Sequence, residues 1–174
     1  MAHIRATTTD DLNDIRNIHL SAFPDSENQI VATLAVNLLR EKTSLSLAAE
    51  IDGAVVGHIV FSPVTIDNNN NWRGMILSPV AVKPEFQKQQ IGSQLINSGI
   101  EQLTQMGTNM LFVYGDPAYY ARFGFDADLA ATVLPAYKLE YPSGWQAIIL
   151  NQVDLQESPV NLSCVDALND PDLW

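Results

Sequence analysis

The sequence predicts a mixed α/β (α+β) fold, in which helices cover a sheet of parallel and antiparallel strands. Three observations predict it. Short segments rich in β-branched residues recur from Leu45 onward. Two amphipathic helices are expected before them. A strand then leads directly into a helix over Leu77–Ser93. The length of 174 residues fits one domain with a sizeable core.

The N-terminal part reads as a strand followed by two helices. His3–Thr7 alternates like an edge strand, and Thr8 with Asp11 three residues later is typical of a helix N-terminus. Apolar residues at helical spacing then predict a first helix that ends before Pro24, with Leu12, Ile15, Ile18 and Ala22 on one face. The same spacing predicts a second helix over about Glu27–Lys42, with Ile30, Leu34, Leu38 and Leu39 inward.

The middle of the chain predicts three strands and a helix. Leu45–Ile51 and Ala54–Ile66 are strands joined by Asp52-Gly53, a strong two-residue hairpin signal. After a loop of four asparagines, a strand is expected over Arg73–Val82 and a helix over about Ile91–Met106.

The C-terminal third predicts a buried strand, a short helix and further strands, in the order Met110–Tyr114, Ala118–Arg122, Gln146–Leu150 and Val160–Val165. The element order is therefore β-α-α-β-β-β-α-β-α-β with an additional C-terminal strand. We expect a single domain over residues 1–174, with its core at about 3–150 and a C-terminal extension at 151–174.

Composition limits the partners. Acidic residues outnumber basic ones 20 to 9, which gives a net charge of −11. Such a surface repels nucleic acid and anionic membranes, and it serves solubility or attracts a cationic substrate. The lone Cys164 allows no internal disulfide and favours a reducing compartment. With no signal-peptide pattern and no run long enough to cross a bilayer, the cytoplasm is the expected location.

The strand–turn–helix of Leu77–Ser93 predicts an anion site. The first N–H groups of a helix have no partner within the helix, and phosphate commonly binds them. Pro79 cannot donate to a sheet ladder, so it indicates an edge, a bulge or a split in the strand. Lys83 and Lys88, two of only nine basic residues, flank the turn.

A second motif, Tyr-x-x-x-Gly-Phe, ends at Phe125. Together with Val-x-Pro at Val82 and Gln-x-x-x-x-Gly at Gln87, it resembles the GNAT superfamily of acetyl-CoA-dependent N-acetyltransferases, from Ile4 to about Phe125. The two stretches are most similar to a bacterial subgroup of uncharacterised predicted acetyltransferases. The resemblance implies a GNAT-like fold with a splayed central sheet, and acetyl-CoA as acetyl donor without a metal.

The resemblance also implies the cofactor residues. The backbone at Val80, Ala81 and Val82 would face the acetyl and pantetheine groups, as if pantetheine were an added strand. The residues expected around the pyrophosphate are Gln87, Lys88, Gln89, Gln90, Ile91, Gly92 and Ser93. Gln90 stands where the family has its first glycine. It adds bulk, and strain if its φ is positive, or else it supplies an amide donor to phosphate.

By the same resemblance, the Val80 N–H would polarise the thioester carbonyl and Tyr120 would protonate the leaving thiolate. The alternative for Tyr120 is core packing, with its hydroxyl bound by a backbone group. Tyr119 is expected to be a packing residue.

The general base is open. Ile76 occupies the position where some family members have a glutamate. Asp25, Glu27 or a water chain are the substitutes, although both carboxylates are also ordinary residues at a helix start. His58 has a suitable ionisation range, but a histidine in an apolar strand is more often structural. Phe23, with Glu27, would line the acceptor mouth.

The predicted function is direct transfer of an acetyl group from acetyl-CoA to a primary amine of a small molecule or peptide. The alternative is a non-catalytic acyl-CoA sensor or interaction module with the same fold. A homodimer is compatible with either function. A dinucleotide-binding protein is disfavoured because no glycine-rich turn follows the first strand.

Overall fold

The computed structural model describes all 174 residues. Strands and α-helices are numbered here in chain order. The strands are β1 His3–Ala6, β2 Leu45–Ile51, β3 Ala54–Ile66, β4 Gly74–Val82, β5 Met110–Tyr114, β6 Val133–Leu134, β7 Trp145–Ile149 and β8 Val160–Cys164. The α-helices are α1 Leu12–Ala22, α2 Asn28–Leu39, α3 Ile91–Gln105 and α4 Pro117–Tyr120.

Hydrogen-bonded neighbours follow the order β1-β2-β3-β4-β5-β7, with β8 paired to β3 and to β6. The β1–β2, β2–β3 and β5–β7 ladders are antiparallel, and the β4–β5 ladder is parallel. The predicted mixed sheet is therefore confirmed. β6 was not predicted, because two residues are too short to show a period in the sequence.

Local signals placed most elements well. The bounds of β2, β3 and β5 match their predictions, and the hairpin residues Asp52 and Gly53 have φ of 49° and 81°. Two left-handed residues are what a type I′ turn requires. The short helix was misplaced by one or two residues: it covers Pro117–Tyr120 and continues as a 3₁₀ turn. Its start is fixed by the Asp116 side chain, which accepts from the Ala118 N–H at 3.0 Å.

The chain forms two compact units. The first consists of Met1–Phe61 and Ser78–Gly99, and the second of Ser62–Leu77 and Ile100–Trp174. The single domain over residues 1–174 stays a prediction, and each unit is described separately below.

In the first unit, α1 buries the apolar face that its sequence predicted. Ile15 and Ile18 have no exposed surface. Ile18 packs with Ala48 of β2, Val55 of β3 and Ala81 of β4, and the half-buried Phe23 closes this cluster. The burial of α1 thus brings the end of that helix to the part of β4 that the sequence assigned to the cofactor.

A charged network attaches the start of α1 to the first two strands. The Arg5 guanidinium donates to both carboxylate oxygens of Asp11 and to Glu50, each at 2.8 Å. Asp11 also accepts from the Thr8 backbone N–H at 2.7 Å, as the predicted helix start requires. The hydrogen bonds from Arg5 hold the pKa of Asp11 below its ordinary value of 3.8.

We expect Asp11 to make folding stability pH-dependent in acid. A carboxyl whose pKa is lowered by folding stabilises the protein above its unfolded pKa, and this contribution disappears as pH falls through the folded pKa. Asp11→Asn should lower the free energy of unfolding at pH 7 by about 1.5–3 kcal/mol, the usual range for hydrogen bonds to charged groups. Urea unfolding at several pH values measures the effect.

The matched control is Asp14→Asn, which changes an exposed carboxylate on α1. It should change stability by less than about 0.5 kcal/mol. The difference in stability between wild type and Asp11→Asn should shrink as pH falls below the ordinary aspartate pKa. A difference that stays constant in acid would contradict the assignment.

The second unit has an aromatic core around β5. Phe112 is fully buried, with ring centroids of Trp72 and Trp145 at 5.9 and 5.2 Å. Trp174 packs on Trp145 at 6.1 Å and donates its indole N–H to the Leu168 carbonyl. This core fixes β5, from which the chain passes through Gly115 into α4.

Candidate active site

The pairing of β4 with β5 ends early. The ladder contains three residue pairs and stops at Ile76 and Phe112, three residues before Pro79. This agrees with the split that the proline predicted. At its other end the strand is anchored by the Lys83 N–H, which donates to the Val56 carbonyl at 2.8 Å. Within the first unit, Ala81 is buried while Val80 and Val82 are only half-buried.

The turn before α3 leaves a row of backbone N–H groups without a carbonyl partner. A 3₁₀ turn at Pro84–Phe86 follows β4, and α3 begins at Ile91. The Gln87 N–H donates to the Pro84 carbonyl, and the next N–H that has a backbone acceptor is that of Gln94, which donates to the Gln90 carbonyl at 2.9 Å. The N–H groups of residues 88–93 therefore have no backbone acceptor. Such an array, at the positive end of a 15-residue helix, suits an anion.

Two residues in this turn have left-handed backbone conformations. Lys88 has φ of 61° and Gln90 has φ of 66°. The condition for strain at Gln90 is therefore met, at a cost of roughly 1–2 kcal/mol for a residue other than glycine. The amides of Gln87 and Gln89 are bound to the Val82 and Glu85 carbonyls, whereas the side chains of Lys88 and Gln90 are exposed.

Gly57 allows the start of α3 to lie close to β3. A Cβ at Gly57 would be 3.1 Å from Leu95 Cδ1 and 3.2 Å from Ile91 Cγ2. Ile91 and Leu95 are themselves buried. The packing of Ile91 and Leu95 against Gly57 therefore fixes the N-terminus of α3 on β3.

In the second unit, Tyr120 ends α4 in an aromatic setting. Its ring is 9% exposed and makes edge contacts with Tyr119 and Phe125, at centroid distances of 5.0 and 5.7 Å. Gly115 makes room for it, since a Cβ there would be 2.5 Å from Tyr120 Cε2. The hydroxyl has no hydrogen-bond partner in the protein, so the backbone-bound hydroxyl of the packing interpretation is not present.

Burial raises the pKa of Tyr120, and Tyr119 raises it further. The phenol is therefore protonated at neutral pH and able to donate. Tyr119 is half-buried, packs on Phe123 at 5.6 Å and carries the Arg122 guanidinium 4.4 Å above its ring. These contacts fit the packing role that the sequence suggested for Tyr119.

The candidate bases differ in their surroundings. Ile76 is 1% exposed and carries no ionisable group. Asp25 and Glu27 are exposed at the start of α2, where the Glu27 N–H donates to the Pro24 carbonyl at 2.9 Å. Phe23 is half-buried at the end of α1, with its ring stacked on His19 at 6.1 Å and 13°. Asp11 is the buried carboxylate of the first unit, and it is paired with Arg5.

His58 is part of a buried hydrogen-bonded chain. Its Nδ1 lies 2.8 Å from His19 Nε2, and its Nε2 lies 2.8 Å from Ser46 Oγ. Burial lowers the pKa of His19 to about 4 and that of His58 well below the ordinary histidine value, so both rings are neutral at pH 7. Sequence reasoning missed His19, although it lies four residues after Ile15 on the apolar face of α1.

Two other kinds of site come into question, a metal site and a cysteine nucleophile. No group of three or more His, Cys, Asp or Glu side chains is placed to hold a metal ion. Burial raises the pKa of the Cys164 thiol to about 12, so it is not a ready nucleophile. None of the helices combines the length and the apolar composition that crossing a bilayer requires.

Two solved structures are similar over nearly the whole chain. The first is YhbS from Escherichia coli in complex with CoA, with a TM-score of 0.86 and 26% identity, covering 97% of this chain and 92% of that one. The second is a GNAT acetyltransferase from Brucella melitensis in complex with acetyl-CoA, with a TM-score of 0.72 and 30% identity, covering 97% and 99%. These similarities confirm the predicted fold class.

Sequence comparison gives the same family. Residues 3–127 match the acetyltransferase (GNAT) domain. The Escherichia coli K12 protein named uncharacterized N-acetyltransferase YjhQ is 40% identical over 124 residues, which are 69% of this chain and 67% of that protein. YhbS of the same strain is 37% identical over 95 residues, 52% of this chain and 56% of that protein. The chain therefore belongs to the GNAT acetyltransferase family, as its two motifs indicated.

Proposed function

We propose that the protein is an N-acetyltransferase that moves an acetyl group from acetyl-CoA directly to a primary amine of a small molecule or peptide. The observation that carries this proposal is the row of N–H groups without a backbone acceptor at residues 88–93, in the turn that leads into α3. A pyrophosphate supplies the acceptor oxygens that such a row lacks.

The proposed cofactor residues are those that the sequence selected. The pyrophosphate would accept from the turn that starts at Gln87, and pantetheine would lie along the backbone from Val80 to Val82. The exposed Lys88 and half-buried Lys83 supply local positive charge, partly offset by Glu85, in a protein of net charge −11. CoA and acetyl-CoA in the complexes of the two similar structures support this choice of donor.

The proposed chemistry uses a backbone N–H and a phenol. The Val80 N–H polarises the thioester carbonyl, and Tyr120 protonates the departing thiolate. A buried, protonated phenol with an unbound hydroxyl supports the second role. Phe23 and Glu27 are proposed to contact the acceptor amine, and the cytoplasm remains the proposed location.

Thiol release across a panel of amines tests the function. Acetyl-CoA is mixed with the protein and either polyamines, aminoglycosides, amino acids or peptides with free N-termini, and free CoA is followed with a thiol reagent. We expect amine-dependent release together with a mass increase of one acetyl group on one class of amine. Binding of acetyl-CoA without release from any amine would instead identify a non-catalytic acyl-CoA sensor.

We expect Lys88→Gln to weaken acetyl-CoA binding about two- to fivefold at low salt, because an exposed charge beside an anion contributes roughly 0.2–1 kcal/mol. The loss should shrink as salt rises, since exposed charges are screened. Isothermal titration at two ionic strengths measures both effects.

Lys42→Gln is the matched control, because Lys42 is also exposed in the first unit but follows α2. It should leave the affinity unchanged. Titration with dephospho-CoA then separates pyrophosphate from ribose-phosphate contacts. If Lys88→Gln binds like the wild type at low salt, the turn does not hold the phosphates.

A further inference from the structure

The buried chain of Ser46, His58 and His19 contains one unused position. His58 contacts both of its neighbours at 2.8 Å, and both imidazole rings are completely buried. His19 Nδ1 is buried and has no hydrogen-bond partner. Ser46, at the other end, is only half-buried. The chain therefore runs from a buried nitrogen without a partner to the half-buried residue Ser46.

Two proton arrangements fit two neutral rings. In the first, His19 Nε2–H donates to His58 Nδ1, and His58 Nε2–H donates to Ser46 Oγ, which leaves His19 Nδ1 as a bare acceptor. In the second, every hydrogen bond is reversed and His19 carries a buried N–H with no acceptor. Buried N–H groups without an acceptor are rarer in proteins than underused acceptors, so the first arrangement is favoured.

The His19 ring lies beside a group already assigned to the acceptor mouth. Phe23 stacks on the His19 ring and is itself partly exposed. Phe23 also packs against the cluster that contains Ala81, whose neighbours Val80 and Val82 are the proposed contacts of the acetyl and pantetheine groups. The Phe23 ring therefore covers one face of the His19 ring.

We propose that Ser46, His58 and His19 form a proton relay that carries the proton of the acceptor ammonium away from the acetyl-transfer site. This inference rests on the proposed function. It supplies a proton acceptor that Ile76 does not provide, and water beside Phe23 passes the proton from the ammonium to His19.

The relay conserves protons and charge. His19 Nδ1 gains a proton, while the Nε2–H bond of His19 breaks and His58 Nδ1 gains that proton. The Nε2–H bond of His58 breaks in turn, Ser46 Oγ gains the proton, and the original hydroxyl proton leaves to water. After product release the shifts run in reverse. Ser46 takes up a proton from water, each hydrogen bond shifts back by one step, and His19 Nδ1 gives its proton to the water that then fills the site.

The charged groups near the rings favour neutral transport over storage of a charge. Asp11 is the carboxylate that acts on His58, and it is already bonded to Arg5. Glu50 on β2 is likewise bonded to Arg5. Neither carboxylate is free to hold a permanent imidazolium, so a proton accepted at His19 during acetyl transfer is passed on toward Ser46 and not stored on a ring.

Nitrogen NMR of the protein with 15N-labelled histidine tests the proton arrangement without any activity. We expect His19 to be protonated at Nε2 and bare at Nδ1, and His58 to be protonated at Nε2, with both rings neutral at pH 7. A protonated His19 Nδ1, or a charged ring at that pH, would overturn the relay.

The pH dependence of the rate tests the relay in catalysis. His58→Gln keeps hydrogen-bonding groups but cannot pass a proton through a ring. We expect its kcat/KM for the amine to fall about a hundredfold at pH 7. The loss should shrink toward the pKa of the amine, where the substrate needs no deprotonation. An amine of low pKa should lose less than a polyamine, and the exposed His3→Gln should lose nothing.

Ser46→Ala provides the second variant, because it removes the exit hydroxyl with little loss of buried volume. It should show the same loss at low pH and the same recovery at high pH. If either variant is uniformly slower at all pH values, or unchanged at pH 7, the relay is wrong and the chain is structural. If the wild type acetylates no amine, the proposed function fails and the relay fails with it.

Discussion

Tyr120→Phe should lower kcat about ten- to a thousandfold and leave KM for acetyl-CoA nearly unchanged. The phenol is buried, protonated and free of protein partners, so its hydroxyl can act on the thiolate as the C–S bond breaks. An interaction made mainly in the transition state affects kcat and not ground-state binding. Steady-state thiol release with the best amine of the panel measures both constants.

Tyr119→Phe is the matched control for that prediction. It removes one hydroxyl from the adjacent ring and keeps the contacts with Phe123 and Arg122. We expect its kcat to stay within about twofold of wild type. Equal kcat in wild type and Tyr120→Phe would return Tyr120 to a packing role. A matching loss in both variants would indicate a general effect of the aromatic cluster.

The second large effect is expected where α3 crosses β3 in the first unit. Phe61 is fully buried, and a Cβ at Gly99 would lie 2.1 Å from its Cζ. Phe61→Ala should lower the free energy of unfolding by about 3–5 kcal/mol through the cavity it leaves. Gly99→Ala should lower it by about 1–3 kcal/mol through overpacking. Urea unfolding measures each change.

The double variant gives the sharper result, because the sign of the second substitution should reverse. Once Phe61 is Ala, the methyl at Gly99 enters empty space and the helix gains about 1 kcal/mol in propensity. Gly99→Ala should therefore stabilise the Phe61→Ala protein while destabilising the wild type. Asn97→Ala, at an exposed position on the same helix, should change both backgrounds alike. Equal effects of Gly99→Ala in both would contradict the contact.

Local patterns predicted most of the fold because their causes are local. The Asp52-Gly53 turn, the alternation over His3–Thr7 and the apolar spacing along α1 each depend on residues within a few positions of one another. The misses have local explanations too. β6 has only two residues, and the start of α4 is fixed by the Asp116 side chain that caps it, which apolar spacing does not reveal.

Part of the candidate site could also be predicted from the sequence. The turn from Gln87 to Ser93 and the motif ending at Phe125 carry their own spacing, and both indicated the family that the comparisons confirm. The sequence also posed the question at Gln90, where glycine is usual, but only the backbone angle of 66° answered that the residue is left-handed there.

By itself, then, the sequence determined most of the strands and helices, the place of the turn before α3 and the family, because these follow from the order and spacing of neighbouring residues. Only the tertiary structure decided which polar groups are paired. His58 meets a histidine 39 residues away and a serine 12 residues away, and Tyr120 keeps its hydroxyl unbound within a packed aromatic cluster. Such pairings depend on how α1 packs against the strands and how α4 packs after β5, which no local spacing encodes.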